Sequence, residues 1–424
     1  LIAASRLVLL ERWPNQELFV GGHAAADPLD EARARLDEAR LRRGCCDGAE
    51  LVVLHDLGGG SDVFAQHVIA EFRAEGRQVL VGRPDGIDRS VMRVEWVDGP
   101  PTPNLRIALL GRSPEEIGAV FRRIGVRTAR VEQVAGYPEQ TPAVLAEAFA
   151  AAAIPYLVTL HDHAAICPRI HLTTGSGTYC GEPGPAVCQA CVNSYGGPWG
   201  SVSIPEWRAR FGLLLRGAER VEAPSRRLAE RVGGTLAVEV HVRDHPPRRR
   251  AGLPAPRSAV AALPRVAAGR LRVGVIGQIG ESKGFAHLLD LARHVQEHDI
   301  PVDVVVIGET QDDKALDVLP GVTVTGRYLD DHVDDLVRAA RLDVIWFPGA
   351  GPETWSYVLD VVLDVVPDSG LPIVAFRIGA IAERLVAVPH ATLLPIGDAF
   401  RPDRVIDALA RAAGKASLST TMQP

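Results

Sequence analysis

Cys167, Cys180, Cys188 and Cys191 follow the pattern C-x12-C-x7-C-x2-C and account for four of the six cysteines in the chain. Thiolates at this spacing, ending in C-x2-C, suit a structural tetrahedral zinc. Reduced free thiols and disulfides are the alternatives. The intervening loop is rich in Gly, Pro and Thr and cannot build a core, so a metal would order it. Four sulfurs close such a site and leave no vacancy for catalysis. His161, His163 and His171 stand in the same stretch as substitute ligands. Cys45 and Cys46 are adjacent, which disfavours joint ligation of one ion; they read as buried small residues at a strand start.

A second group of residues suggests anion binding. Gly58, Gly59 and Gly60 follow the apolar run ELVVL, and Gly277, Gly280 and Gly284 follow LRVGVI. Glycine lets backbone approach an anion closely, and a helix N-terminus offers free N–H groups and partial positive charge. Lys283 adds a full charge beside the second loop. A sugar-nucleotide diphosphate is a natural guest; the same loops would also serve as simple strand–helix turns. The second loop is not a strict GxGxxG with a downstream ribose acid, which argues against a dinucleotide. Glu353 follows DVIWFP, where a carboxylate can accept hydrogen bonds from sugar hydroxyls or simply favour a helix start.

The elements that must position these groups alternate. ELVVLHDLGGGSDVFAQHVIAEFRAEGRQVLVG reads as strand, glycine loop, helix, strand, with Ser61 or Asp62 as helix cap. RIALL, TARVEQV, a helix over 142–153, YLVTL, helix RARFGLLLRGA and strand RVEAPS continue the series. Residues 26–44 read as a peripheral helix capped by Asp27. Residues 243–270, rich in Pro, Arg and Ala, read as a linker, with Arg248 to Arg250 a solvated run. The pattern then restarts with VDVVVIG, VTVTG, DVIWFP and LPIVAF as short buried strands. Short apolar strands alternating with helices predict parallel sheets covered on both faces. The expected class is α/β, two Rossmann-like doubly wound domains facing across a cleft. The expected division is an extension (1–44), an N-terminal acceptor domain (45–242), the linker (243–270), a C-terminal donor domain (271–400) and a terminal helix and tail (401–424).

Composition sets bounds. The chain has 424 residues, is 47% hydrophobic and 23% charged, and carries a net charge of -6, with a pI of about 6.1. It is globular, and it lacks the basic excess of a nucleic-acid binder. No apolar run reaches the roughly 18–20 residues that span a bilayer. The reading is cytoplasmic, with peripheral attachment at the inner membrane face compatible with it, as is a homo-oligomer.

GGGS (58–61), HDHAAICP (161–168), APS (223–225), GQIGESKG (277–284), VVIGE (305–309), VTGRY (324–328) and FPGAGPETWSY (347–357) occur in this order. The set resembles the retaining, family-four-like bacterial glycosyltransferases of the GT-B fold, in a branch with an HD..ICP…C…C..C insertion. The resemblance implies a nucleotide-sugar donor, a saccharide or lipid-linked hydroxyl acceptor, retention of configuration and no divalent metal for catalysis. It implies that Gly58, Gly59 and Gly60 face the donor phosphates or the acceptor. It makes His161 the cleft histidine, Lys283 the diphosphate lysine and Glu353 the first carboxylate of an E-x7-E motif. Thr354, Trp355 and Ser356 would cup sugar and phosphate.

Two departures stand out. An arginine expected after Gly277 is Gln278, for which Arg327 is a substitute cation. The second glutamate is Val361, or Val365 if one copy of the repeated VLDV is an insertion. Asp360 and Asp364, four apart on one helix face, could take over the ribose contact or face solvent. Asp330 and Asp331 read as a surface turn. The sequence therefore points to a glycosyltransferase. A degenerate sugar-nucleotide binder or scaffold, and a nucleotide-sugar epimerase of the same fold, are the competing readings.

Overall fold

The computed structural model describes residues 11–13, 15, 19, 22, 27–174, 177–246, 269–328 and 333–418; Arg248 to Arg250, most of the expected linker, and Asp330 and Asp331 lie outside them. The chain order is α1 (Asp30–Gly44), β1 (Ala49–Val53), α2 (Gly60–Ala74), β2 (Gln78–Pro84), β3 (Val91–Trp96), β4 (Arg106–Ala108), α3 (Pro114–Arg123), β5 (Val126–Val131), α4 (Thr141–Ala152), β6 (Tyr156–Thr159), α5 (Pro185–Tyr195), α6 (Ile204–Gly217), β7 (Arg220–Ala223), α7 (Arg226–Leu236) and β8 (His241–Val242). The second lobe runs β9 (Leu271–Ile276), a 3-10 turn (Glu281–Lys283), α8 (Phe285–Glu297), β10 (Val302–Ile307), α9 (Asp313–Asp317), β11 (Val322–Val324), α10 (Val333–Ala340), β12 (Val344–Phe347), α11 (Tyr357–Ser369), β13 (Ile373–Phe376), α12 (Gly379–Leu385), β14 (Ala391–Leu394) and α13 (Pro402–Ala412).

Each lobe is built on one sheet. The first has the order β4-β3-β2-β1-β5-β6-β7-β8 and the second β11-β10-β9-β12-β13-β14. Every pairing is parallel except β2–β3 and β3–β4. All residues of β1 and β9 are buried, as a strand covered by helices on both faces requires. Leu51, Leu80, Phe121, Phe149 and Trp207 pack in the first core, and Val273, Val304, Trp346 and Phe376 in the second. Burying each such side chain contributes about 1.5–3 kcal/mol.

Three details depart from the sequence reading. RIALL shrinks to β4, an edge strand antiparallel to β3, which itself returns from β2 through a tight turn in which Asp85 Oδ1 accepts from Ile87 N at 2.9 Å. The helix expected to be peripheral places Leu41 in the first core, and its fully buried Asp37 accepts from Asn104 N at 2.9 Å. Asp27 does not cap it: its carboxylate takes the Arg33 guanidinium, and the helix starts at Asp30 without a side-chain cap. The terminal helix α13 packs on the second lobe through Val405, Ile406 and Leu409.

Candidate active site

Strand order locates the site. In the second sheet, β9 has β10 on one side and β12 on the other, so the chain's winding reverses there and a crevice opens beyond the strand ends. Lys283 comes from the loop after β9 and Glu353 from the loop after β12. In the first sheet β1 has the same position between β2 and β5. The triple glycine follows β1, and His161 follows the neighbouring β6. The two crevices face one another around a cavity of about 700 Å³.

The loops of the second lobe interlock. Gly284 has φ +86, and a Cβ there would lie 2.2 Å from the Pro348 carbonyl oxygen. Only glycine lets the loop after β9 approach the end of β12 so closely. A Cβ on Gly349 would lie 3.5 Å from Glu353 Oε1 and 3.7 Å from the Lys283 carbonyl carbon, so the two residues flank the same glycine. The backbone of Glu353 is fixed by Ala380 N, which donates to its carbonyl at 2.8 Å. Its carboxylate makes no hydrogen bond within the described chain. Burial pushes its pKa up, and the Lys283 charge draws it partly back. The Lys283 ammonium likewise has no ion pair or hydrogen bond with any other described residue, while its backbone N donates to Gly280 O at 3.1 Å.

The neighbouring charges are already matched. Arg327 lines the cavity, but its Nε donates to Glu309 at 2.7 Å and its side chain is largely exposed. Asp360 does not face the cavity: it pairs with Arg384, whose guanidinium lies 4.1 Å from the centroid of the Trp355 ring. Asp364 is exposed and also lies outside the cavity wall, as does Gly280. Gly58, Gly59, Gly60, His161, Gly277, Gln278, Lys283, Arg327, Glu353, Thr354, Trp355 and Ser356 all line it.

On the first lobe, Ser61 and Asp62 do not cap α2. The helix begins behind Gly59 without a side-chain cap. The Ser61 hydroxyl meets His55 Nε2 at 2.6 Å, and Asp62 accepts from Arg83 at 2.8 Å. Leu57 N donates to His55 Nδ1 at 2.8 Å, so neutral His55 carries its proton on Nε2. His161 Nε2 meets Glu132 Oε2 at 2.8 Å, in a buried chain that continues through Arg130 to Glu222 at 2.6 Å. His161 Nδ1 is sealed from solvent without a partner. The imidazole is thus held rigidly, and its backbone carbonyl accepts from Thr354 Oγ1 of the opposite lobe.

His55, Gln133, Asp162, His245, Glu309 and Tyr357 line the same cavity and carry no site assignment from the sequence; His163 and His171, read there as substitute metal ligands, line it too. His55 and Gln133 lie just beyond β1 and β5, a signal available from strand ends alone. His245 and Tyr357 carry no such signal, because the meeting of the lobes brings them together.

The expected zinc site is not formed. Among the described residues no group of three or more His, Cys, Asp or Glu side chains could hold a metal ion. The four cysteines border a separate cavity of about 200 Å³, and all six are free. Arginine orders the loop instead. Arg169 donates to the carbonyls of Thr173, Gly196 and Thr174 at 3.0, 3.1 and 3.2 Å. Cys188 Sγ donates to Pro183 O at 3.2 Å, and burial pushes the Cys167 thiol up to about 11. Cys45 is buried as expected, but Cys46 is exposed.

Among the described residues no helix is long and apolar enough to cross a membrane. No family model matches the chain, and no curated protein matches it. Solved structures do. Sucrose-phosphate synthase from Thermosynechococcus elongatus is 15% identical, with a TM-score of 0.51 over 88% of this chain and 92% of that one. Anabaena HepE, solved in complex with UDP and glucose, is 14% identical, with a TM-score of 0.49 over 88% and 93%. The lipopolysaccharide outer core galactosyltransferase WaaB is 11% identical, with a TM-score of 0.46 over 88% and 96%. With its paired parallel-sheet lobes and the cleft between them, the chain has the GT-B fold.

Proposed function

We propose that the protein is a glycosyltransferase that moves a sugar from a nucleoside diphosphate sugar to a hydroxyl acceptor, saccharide or lipid-linked. The observation that carries this reading is the pair Lys283 and Glu353. Both line one cavity at the reversal point of the donor sheet, and neither is satisfied within the described chain. A cation beside the N-terminus of α8 is suited to a diphosphate, and a buried carboxylate is suited to sugar hydroxyls. The cavity also falls in the size range of small-molecule sites, about 300–1,000 Å³.

In this reading the bond between the anomeric carbon and the diphosphate oxygen breaks, and the electron pair leaves with the diphosphate. Lys283 and the amides at the start of α8 stabilise the charge that develops there. The acceptor oxygen bonds to the anomeric carbon, and its proton passes to the departing phosphate. Retention follows if attack occurs on the face the diphosphate leaves. His161, held by Glu132, forms the wall on the acceptor side.

Substituting Lys283→Ala should weaken binding of a nucleoside diphosphate by about tenfold or more, about 1.4 kcal/mol, and leave the bare nucleoside almost unaffected. Calorimetry with UDP, GDP and ADP against their nucleosides decides the point; equal losses would remove Lys283 from the diphosphate site. A non-catalytic binder is the second reading, favoured by the engagement of Asp360 with Arg384 and of Arg327 with Glu309. Nucleotide binding without turnover of any donor and acceptor pair would select it. Turnover without an acceptor would select an epimerase.

A further inference from the structure

The seam between the lobes contains a histidine with no assigned role. His245 follows β8, where the chain leaves the acceptor lobe, and is only 5% exposed. On the acceptor side its ring lies 4.3 Å from Phe64 and 5.1 Å from His161. On the donor side it lies 5.4 Å from Trp355 and 5.9 Å from Tyr357, centroid to centroid. Tyr357 Oη meets its Nδ1 at 3.3 Å, and its Nε2 is buried with no hydrogen-bond partner. Trp355 also carries the Arg384 guanidinium, 4.1 Å from its ring centroid. The imidazole therefore wedges together residues from both walls of the cavity.

We propose that His245 is a positioning residue whose neutral imidazole holds the lobes closed around the donor, so that its protonation opens the cleft. The inference rests on the functional reading above for the identity of the ligand, but not for the closure itself. A charged imidazolium would need a partner for each N–H, and the closed seam has none for Nε2. The titratable and charged groups that face it are His67 on α2, His161 after β6, Arg243 beside it, and Tyr357 and Arg384 from the donor lobe. Arg243 is paired with Glu71 and Glu222, and Arg384 with Asp360, so no carboxylate is left over for His245. Burial first, and then these cations, lower its pKa to about 2. In an open cleft the imidazole would titrate near its ordinary value of about 6.5. The closed form therefore has its full advantage above that value and loses it as the pH falls.

The test compares wild type with His245→Phe, which keeps the stack and cannot titrate, and with His245→Gln, which keeps a polar contact to Tyr357. Two measurements are made at pH 7.5 and 5.5: the radius of gyration by small-angle scattering without ligand, and the Kd for UDP-glucose, GDP-mannose and ADP-glucose. Wild type should expand at pH 5.5 and bind about tenfold more weakly than at pH 7.5, beyond any change seen in the variants. Neither variant should expand. Equal expansion in wild type and variants, or a constant radius in wild type, would overturn the proposal. If wild type binds none of the three donors at pH 7.5, the functional reading loses its support while the scattering still decides on His245.

Discussion

Glu132 shows how a single side chain can be both structural and close to the chemistry. It is completely buried, between Arg130 and His161. Burial acts to raise its pKa, but the hydrogen bond from His161 and the Arg130 charge outweigh it, and the net direction is down. A depressed carboxylate stabilises the fold above its ordinary range and loses that contribution as pH falls through the native value. Glu132→Ala leaves Arg130 paired only through Glu222 and frees His161. It should destabilise the acceptor lobe by about 3 kcal/mol in denaturant titrations, with Glu132→Gln costing clearly less. His163 works in the opposite chemical sense with the same outcome. Burial lowers its pKa to about 3, so folding stability is fully present above about 6.5 and falls below it. The melting temperature should drop between pH 7 and pH 5, and His163→Asn should flatten that part of the profile.

At the scale of elements, the loops matter more than the helices they precede. Gly284→Ala would place a methyl against the Pro348 carbonyl at a left-handed φ, so it should cost about 1–3 kcal/mol and reduce diphosphate binding with it. Ala at Gly58, where φ is +70 but no atom lies within 4 Å, should affect binding much less. The parallel strands were legible because residues such as Val304–Val306 are apolar throughout, a local pattern with one good solution. The helix starts were less so: Ser61 and Asp62 have the chemistry of caps, yet His55 and Arg83 claim both. The cysteine loop was less legible for a related reason. Spacing describes which thiols could meet, whereas Arg169 and its three carbonyl partners decide where the loop goes. A chelator should leave the melting temperature unchanged, and thiol titration of the unfolded, unreduced protein should find six reactive groups.

For the whole molecule, the seam between the lobes is held by few contacts. Thr354 on the His161 carbonyl, Glu383 on the amides of Arg226 and Arg227 at 3.0 and 3.1 Å, and Tyr357 on His245 tie the lobes together. Each tie is a single contact that lobe separation would hydrate, at a net cost of only about 0.5–1.5 kcal/mol per hydrogen bond. Glu383→Ala should therefore loosen the lobes without unfolding either, visible as a larger radius of gyration at an almost unchanged melting temperature.

The sequence by itself determined the two runs of buried strands, the glycine turns beyond them, and the positions of Lys283 and Glu353 at strand ends. Those are short-range properties, written in apolar period and turn chemistry. Only the tertiary structure decided which charges stay available. Arg327 with Glu309, Arg384 with Asp360 and Arg130 with Glu132 and Glu222 cancel one another, and Lys283 and Glu353 do not. The reason is that an ion pair depends on where side chains from distant segments end up, and no local pattern records that.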